Sequence, residues 1–165
     1  MNDHRFLLAA LLLLMTPGAF AGDSPADVVG RFYAWTLQPA PEKTDEGLAP
    51  VQQLLGQALF AALEAQRTYE EACARLVPEG VKPHMLDQSP FFLWPDGAQA
   101  LLSTQTTVAG DTARVSARLA YDDLHWTDTV LLGHEDDRWV ILDIQWQERS
   151  LTERLVGFAS HRCEP

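Results

Sequence analysis

The sequence predicts an α+β domain in which helices pack on an antiparallel sheet. Its first half carries apolar stripes with helical spacing, and its second half carries four strand-like segments separated by short polar breaks. Helices followed by strands, instead of helices alternating with strands, are typical of this class. A last short helical pattern follows the strands. We therefore expect N-terminal helices on a curved antiparallel sheet of about four strands, with a short C-terminal helix.

The first 21 residues have the pattern of a secretory signal. Arg5 precedes an apolar run over residues 6–15, and the small pair Ala19 and Ala21 fits a cleavage site. The run is too short to span a bilayer. We expect cleavage after Ala21, a periplasmic or secreted product, and a single domain over residues 22–165 without a membrane span.

The net charge indicates which partners the protein can bind, and the cysteines indicate the compartment in which it folds. The net charge is −11, which argues against nucleic acid or an anionic membrane as partner and is compatible with a basic protein. The two cysteines, Cys73 and Cys163, favour a disulfide in an exported chain. The alternative is a free, buried thiol at Cys73, which falls on an apolar helical stripe.

The first half predicts two helices and an aromatic loop. Ser24 and Pro25 are typical of a helix start, and Pro50 predicts the start of a long helix that ends before Pro78. Gln66 interrupts the apolar stripe of that long helix. The segment 87–97, DQSPFFLWPDG, is a loop whose aromatic side chains we interpret as core anchors, with a ligand-binding lip as the alternative.

Four segments of the second half predict the strands of a meander. They are LLSTQTTV, TARVSARLAY, LHWTDTVLL and RWVILDIQW, and SLTE after them is a capping box that starts the last helix. A two-residue turn at 122–123 places Ala117 beside Asp128, and Leu119 beside Trp126. An even-length loop after Leu132 would place Asp128 opposite Asp143.

The helix start SPADVVGRFYAWTL and the terminal RWVILDIQW…SLTERL resemble a family of small exported bacterial proteins of unknown function. Some members are enterobacterial lipoproteins, although this chain lacks the lipobox cysteine. The family looks like the cystatin-like cone typified by nuclear transport factor 2, in which helices pack on a curved antiparallel sheet. The resemblance covers most of residues 22–165 and is specific at its two ends. It implies a fold and an envelope location, and it assigns no catalytic residues.

One face of the predicted sheet would line the cavity of such a cone. On that face the predicted register brings the carboxylates of Asp128 and Asp143 together. They would repel each other, so that one of them should have a raised pKa, as acid–base chemistry requires. In an enzyme, Asp128 or Asp143 would be the general base and Tyr121 the hydrogen-bond donor. The alternative is a structural aspartate that accepts backbone N–H bonds from a loop or a helix end. The candidate cavity residues are Ala117, Leu119, Tyr121, Trp126, Asp128, Ile141 and Asp143.

The last predicted strand is apolar in both phases. We expect its second face, formed by Val140, Leu142, Ile144 and Trp146, to be covered by the C-terminal helix or by a partner chain, a homodimer being one form of the latter. The histidines show no metal-ligand spacing, and no motif implies a metal or another cofactor.

The sequence leaves three hypotheses about function. The first is a non-enzymatic periplasmic binding protein, in its most specific form an immunity-type protein that neutralises a basic toxin in the envelope. The second is a carrier of a small apolar ligand, or an isomerase- or hydrolase-type enzyme that uses the acid pair. The third is a structural subunit of the envelope.

Overall fold

A computed structural model of the chain describes residues 22–38, 47–147 and 149–163. The predicted signal segment 1–21 and its cleavage site lie outside these residues. The element order confirms the α+β class. The elements are α1 (Pro25–Thr36), a 3-10 helix (Ala49–Leu54), α2 (Gln57–Ala74), β1 (Ala100–Ala109), β2 (Thr112–Tyr121), β3 (Leu124–Glu135), β4 (Arg138–Trp146), β5 (Arg149–Ser150) and α3 (Leu151–Ala159).

The strands form one antiparallel sheet in the order β1-β2-β3-β4-β5. The expectation of about four strands missed β5, which has two residues and therefore cannot show an alternating pattern. Two-residue turns join β1 to β2, β2 to β3, and β3 to β4. Asp136 and Asp137 have φ angles of 49° and 60°, which is the left-handed conformation that a type I′ hairpin turn requires at both central residues.

Capping boxes begin the first and last helices. The sequence predicts the box of the last helix, and for the first helix it predicts the start at Ser24 and Pro25. The Ser24 hydroxyl accepts the Asp27 N–H, and the Asp27 side chain accepts the Ser24 N–H. The Ser150 and Glu153 pair repeats this arrangement at the start of α3. Each box satisfies two backbone donors that a helix start otherwise leaves unpaired.

The single long helix predicted from Pro50 is wrong, because the chain breaks at Leu55 and Gly56. Leu55 is extended and bridges Ile141 in parallel, and the Gly56 N–H donates to the Ile141 carbonyl at 2.8 Å. A Cβ on Gly56 would lie 2.9 Å from Leu142 Cδ2 and 3.3 Å from the Ile141 oxygen. Glycine therefore permits this close approach of the chain to the edge of β4, and α2 begins only at Gln57.

The predicted register between β3 and β4 is also wrong. Leu132 pairs with Ile141, and Leu131 pairs with Asp143, so that Leu142 is an extra residue in a β-bulge. The bulge shifts the alternation of side chains by one residue, and Ile144 consequently pairs with Val130 on the buried face. This shift explains why both phases of the segment are apolar. Asp128 would not oppose Asp143 even without the bulge, because the pairing of Leu132 with Ile141 already places Asp143 beyond Asp128 on the ladder.

The helices and the sheet share one apolar core. Side chains from α1, α2 and α3 belong to the same buried cluster as Ile141, Ile144 and Trp146. Helix α1 lies against β1, β2 and β4, while α2 and α3 contact each other and β4. The sequence predicted that the C-terminal helix or a partner chain covers the second face of β4, and this holds only in part. The bulge turns Ile144 and Trp146 into the core and leaves Leu142 beside α2 and α3.

The disulfide and the aromatic anchors are confirmed. Cys73 at the end of α2 is bonded to Cys163 after α3. In the aromatic loop, Phe91 and Phe92 are buried and pack against α1, whereas Trp94 stays half exposed. Within the described parts of the chain, no helix is both long enough and apolar enough to cross a membrane.

Candidate functional site

Asp128 is an ionisable side chain inside the apolar core. It is 1 % exposed and pairs across the ladder with Ala117, as predicted. Its Oδ2 atom has no hydrogen-bond partner among the described residues, and the same is true of Tyr33 Oη and of Nε1 of Trp126 and Trp146. Buried polar atoms usually have a hydrogen-bond partner, so these four are exceptions in the described core.

Burial determines the ionisation of Asp128. It raises the pKa of the carboxyl from 3.8 to about 7, because an ionised group loses its hydration in the core. The indole N–H of Trp126 offsets part of that rise, although the two groups do not form a well-aligned hydrogen bond. Burial, and next the negative charge of Asp128, raise the pKa of Tyr33 well above 10. Tyr33 on α1 is therefore the tyrosine that neighbours this acid.

Asp143 has the structural role that the sequence left as the alternative. Its Oδ1 accepts the N–H of Ile144 at 2.9 Å and the N–H of Thr152 at 2.9 Å. Thr152 lies in the first turn of α3, where backbone donors are unpaired and the helix dipole favours a negative charge. The bulge at Leu142 turns Asp143 away from Asp128 and towards this helix end.

The remaining predicted cavity residues separate into two groups. Ala117, Leu119 and Ile141 are fully buried core residues. Tyr121 and Trp126 instead line a surface pocket of about 300 Å³ together with Trp94 and Leu124. Tyr121 lies two inward-facing pairs beyond Asp128 on the β2–β3 ladder, so the structure does not bring Asp128, Asp143 and Tyr121 together.

A different site lies between α2 and α3. It is a groove of about 370 Å³ that is open to solvent and almost entirely apolar. We call it the α2–α3 groove. Val156 on α3 is 67 % exposed beside it, and Leu142 of the bulge is 41 % exposed. The lining residues are Ala58, Leu59, Ala62, Ala65, Gln66, Tyr69, Leu142, Thr152, Leu155, Val156, Phe158 and Ala159.

The shape of the groove follows from small side chains on α2. Ala58, Ala62 and Ala65 recur at helical spacing on one side and leave room where larger residues would meet α3. From Ala58 to Tyr69 the helix advances about 16 Å, which gives a long and narrow channel. Gln66 is one of its few polar residues. The alanine spacing was visible in the sequence, but only the packing of α3 turns it into a groove.

The Tyr69 end of the groove is held by aromatic contacts. The Tyr69 ring meets Phe158 edge-on with centroids 5.3 Å apart, and its hydroxyl lies 2.8 Å from His84 Nδ1. His84 in turn stacks on Phe158 at 4.5 Å. Because the Tyr69 hydroxyl has a partner outside the groove, its ring presents an apolar surface to the groove.

Comparison with known proteins does not identify the chain, since no protein-family model, curated protein or solved structure matches it.

Proposed function

We propose that this chain is an exported, non-enzymatic binding protein that holds a ligand with an unbranched apolar chain in the α2–α3 groove. The observation that carries the proposal is the open apolar groove of about 370 Å³, a volume within the range of ligand sites. Its alanine wall suits a narrow chain better than a fused ring system. Gln66, whose amide makes no hydrogen bond to a described residue, would meet the polar end of the ligand.

A binding role fits the chemistry of the buried acid better than catalysis does. Asp128 is the described carboxyl with a strongly raised pKa, yet it is 1 % exposed and cannot touch a solute. A general base must come within hydrogen-bond reach of the proton that it removes. Export is supported by the signal-like segment 1–21 and by the disulfide between Cys73 and Cys163.

The test uses an uncharged, rod-shaped fluorescent probe without fused rings, 1,6-diphenyl-1,3,5-hexatriene, with 1-decanol as competitor. We expect the probe to brighten on the protein and 1-decanol to displace it. Ala62→Trp, which fills the groove, should abolish binding, whereas Ala61→Trp should not, because Ala61 is exposed on α2 and does not line the groove. Equal binding by the two variants would contradict the proposal.

A second measurement separates a ligand from a second copy of the chain. Sedimentation equilibrium should give a monomer for the wild type and for Ala62→Trp. A wild-type dimer that Ala62→Trp converts to monomer would assign the groove to a homodimer interface instead.

The acidic composition and one sheet edge favour a second candidate, a basic protein partner of the kind that an immunity-type protein neutralises. The net charge of −11 would steer such a partner. Edge strand β1 has no charged residue and no proline in ten residues, although edges are usually protected in this way. An extended segment of the partner could add to that edge.

The second candidate has its own test. A partner isolated on the immobilised protein should associate more slowly as salt rises, and Thr106→Lys on β1 should weaken it. Thr127→Lys, on the exposed face of the interior strand β3, is the matched control. An association rate that does not change with salt concentration, or equal weakening of binding by Thr106→Lys and Thr127→Lys, would reject this candidate.

We also propose that the fold is the cystatin-like cone that the sequence resemblance implies. Three features support this. Helix α1 crosses the sheet, bulges interrupt β1 and β4, and the covered face of the sheet is apolar. Bulges increase local twist and bend strands, as a conical sheet requires. An experimental structure tests the proposal, because an untwisted sheet would exclude a cone.

A further inference from the structure

The geometry points to an anion-binding site between Arg149 and Arg154, on the side of α3 away from the α2–α3 groove. These residues line a pocket of about 630 Å³ together with His84, Glu153 and His161. The ligand class is a small organic anion, a carboxylate or phosphate monoester with an apolar part. This site is independent of the proposed function.

Arg154 is held rigidly at the wall of this pocket. Its guanidinium lies 4.2 Å from the ring centroid of Trp146, and Nη1 donates to the carbonyls of Phe92 at 2.7 Å and Pro90 at 3.0 Å. Its hydrogen bonds to described residues all use Nη1, so that Nη2 and Nε remain as donors. A fixed guanidinium with unused donors can bind a carboxylate or a phosphate at low entropic cost.

Arg149 adds a second positive charge that no described acid neutralises. It is exposed and lines the same pocket as Arg154, and its charge, after the effect of burial, lowers the pKa of Arg154. Elsewhere Arg31, Arg67 and Lys82 each form an ion pair with an acid. Neither Arg149 nor Arg154 forms such a pair with a described acid, so both charges are available to a bound anion.

The one described acid that lines the pocket is already engaged. Glu153 Oε2 accepts the Ser150 N–H at 2.9 Å in the capping box of α3. His84 and His161 also line the pocket. Leu86, Leu93 and Phe158 supply apolar wall. An anion with a ring or short chain would therefore contact both guanidinium groups and this wall.

Calorimetric titration with phenyl phosphate and with inorganic phosphate tests the site. We expect phenyl phosphate to bind more tightly, because its ring can contact the apolar wall. Arg149→Gln should weaken binding about tenfold or more, the loss expected for one charge-assisted hydrogen bond. The exposed Arg118→Gln on β2 should bind like the wild type. Arg149 is exposed, so its variant should fold normally.

Two further arms make each outcome decisive. Co-sedimentation with phosphatidylglycerol vesicles distinguishes a lipid headgroup from a free anion. If the protein binds only the vesicles, and Arg149→Gln abolishes that binding, the ligand is the lipid headgroup. Ala62→Trp should leave phenyl phosphate binding unchanged, so that this site and the groove fail or succeed separately. Absence of binding to all three probes, or wild-type affinity in Arg149→Gln, overturns the proposal.

Discussion

Two aspartates on neighbouring strands show how the surroundings of one side chain set its role. Asp128 is buried without a well-formed hydrogen bond at Oδ2, so the core favours its neutral form. Asp143 accepts two backbone N–H groups at a helix start, an arrangement that suits a carboxylate. The sequence places both in strands, and only the bulge separates their surroundings.

Asp128→Asn should change the pH dependence of stability. The folded pKa of about 7 lies above the unfolded value of 3.8, so the native state binds more protons between these values and wild-type stability falls as pH rises through that window. The difference between the two pKa values corresponds to about 4 kcal/mol of unfolding free energy at most. Urea unfolding at pH 4 to 8 should therefore show the variant gaining on the wild type with rising pH. A stability difference that stays constant from pH 4 to pH 8, or that shifts in favour of the wild type as pH rises, would contradict this account.

Substitution of Asp143 should destabilise the fold. Asp143→Ala removes the acceptor for the Ile144 and Thr152 N–H groups and should cost about 1–3 kcal/mol. Asp143→Asn keeps an oxygen at Oδ1 and loses only the charge near the start of α3, which should cost about 0.3–1 kcal/mol. Chemical denaturation at pH 7 measures both. Equal stability of the alanine variant and the wild type would reject the helix-start role.

At the scale of elements, replacing glycine by alanine at two positions should have opposite effects on stability. Gly56→Ala should destabilise by about 1–3 kcal/mol, since the new Cβ would lie 2.9 Å from Leu142 Cδ2 and 3.3 Å from the Ile141 carbonyl. Gly30→Ala in α1 meets nothing within 4 Å and should stabilise by about 1 kcal/mol through helix propensity. Thermal unfolding of the two variants compares them directly. Similar changes in melting temperature for both variants would show that the contact between Gly56 and the edge of β4 does not affect stability.

The sequence predicted the elements better than it predicted their junctions. Alternation and two-residue turns placed β2 against β3 correctly, as the pairs of Ala117 with Asp128 and of Leu119 with Trp126 show. The bulge at Leu142 could not be read from alternation, because both phases of β4 are apolar. The break at Gly56 depends on a contact with Ile141, which is distant in the chain. The α2–α3 groove forms only where the alanines of α2 pack against α3, and this packing cannot be read from the sequence.

At the scale of the whole molecule, the disulfide joins the end of α2 to the C-terminal segment. It spans a sequence separation of 90, for which the loop-entropy model gives about 4.6 kcal/mol of stabilisation at most. The Cys73→Ala, Cys163→Ala double variant should be less stable than the wild type by up to that amount in urea unfolding. Dithiothreitol should destabilise the wild type and leave the double variant unchanged. Wild-type stability in the double variant would contradict the prediction.

The same bond determines how the protein would respond to tension. The Cα atoms of Cys73 and Cys163 lie 5.5 Å apart, and all five strands and α3 lie within the covalent ring that the bond closes. A pull on the two ends would pass through the bond and bypass the sheet. Stretching would first release α1, the 3-10 helix and α2, at about 3.3–3.6 Å per residue. The sheet would lose the helix that covers it before any of its own strands bore a load.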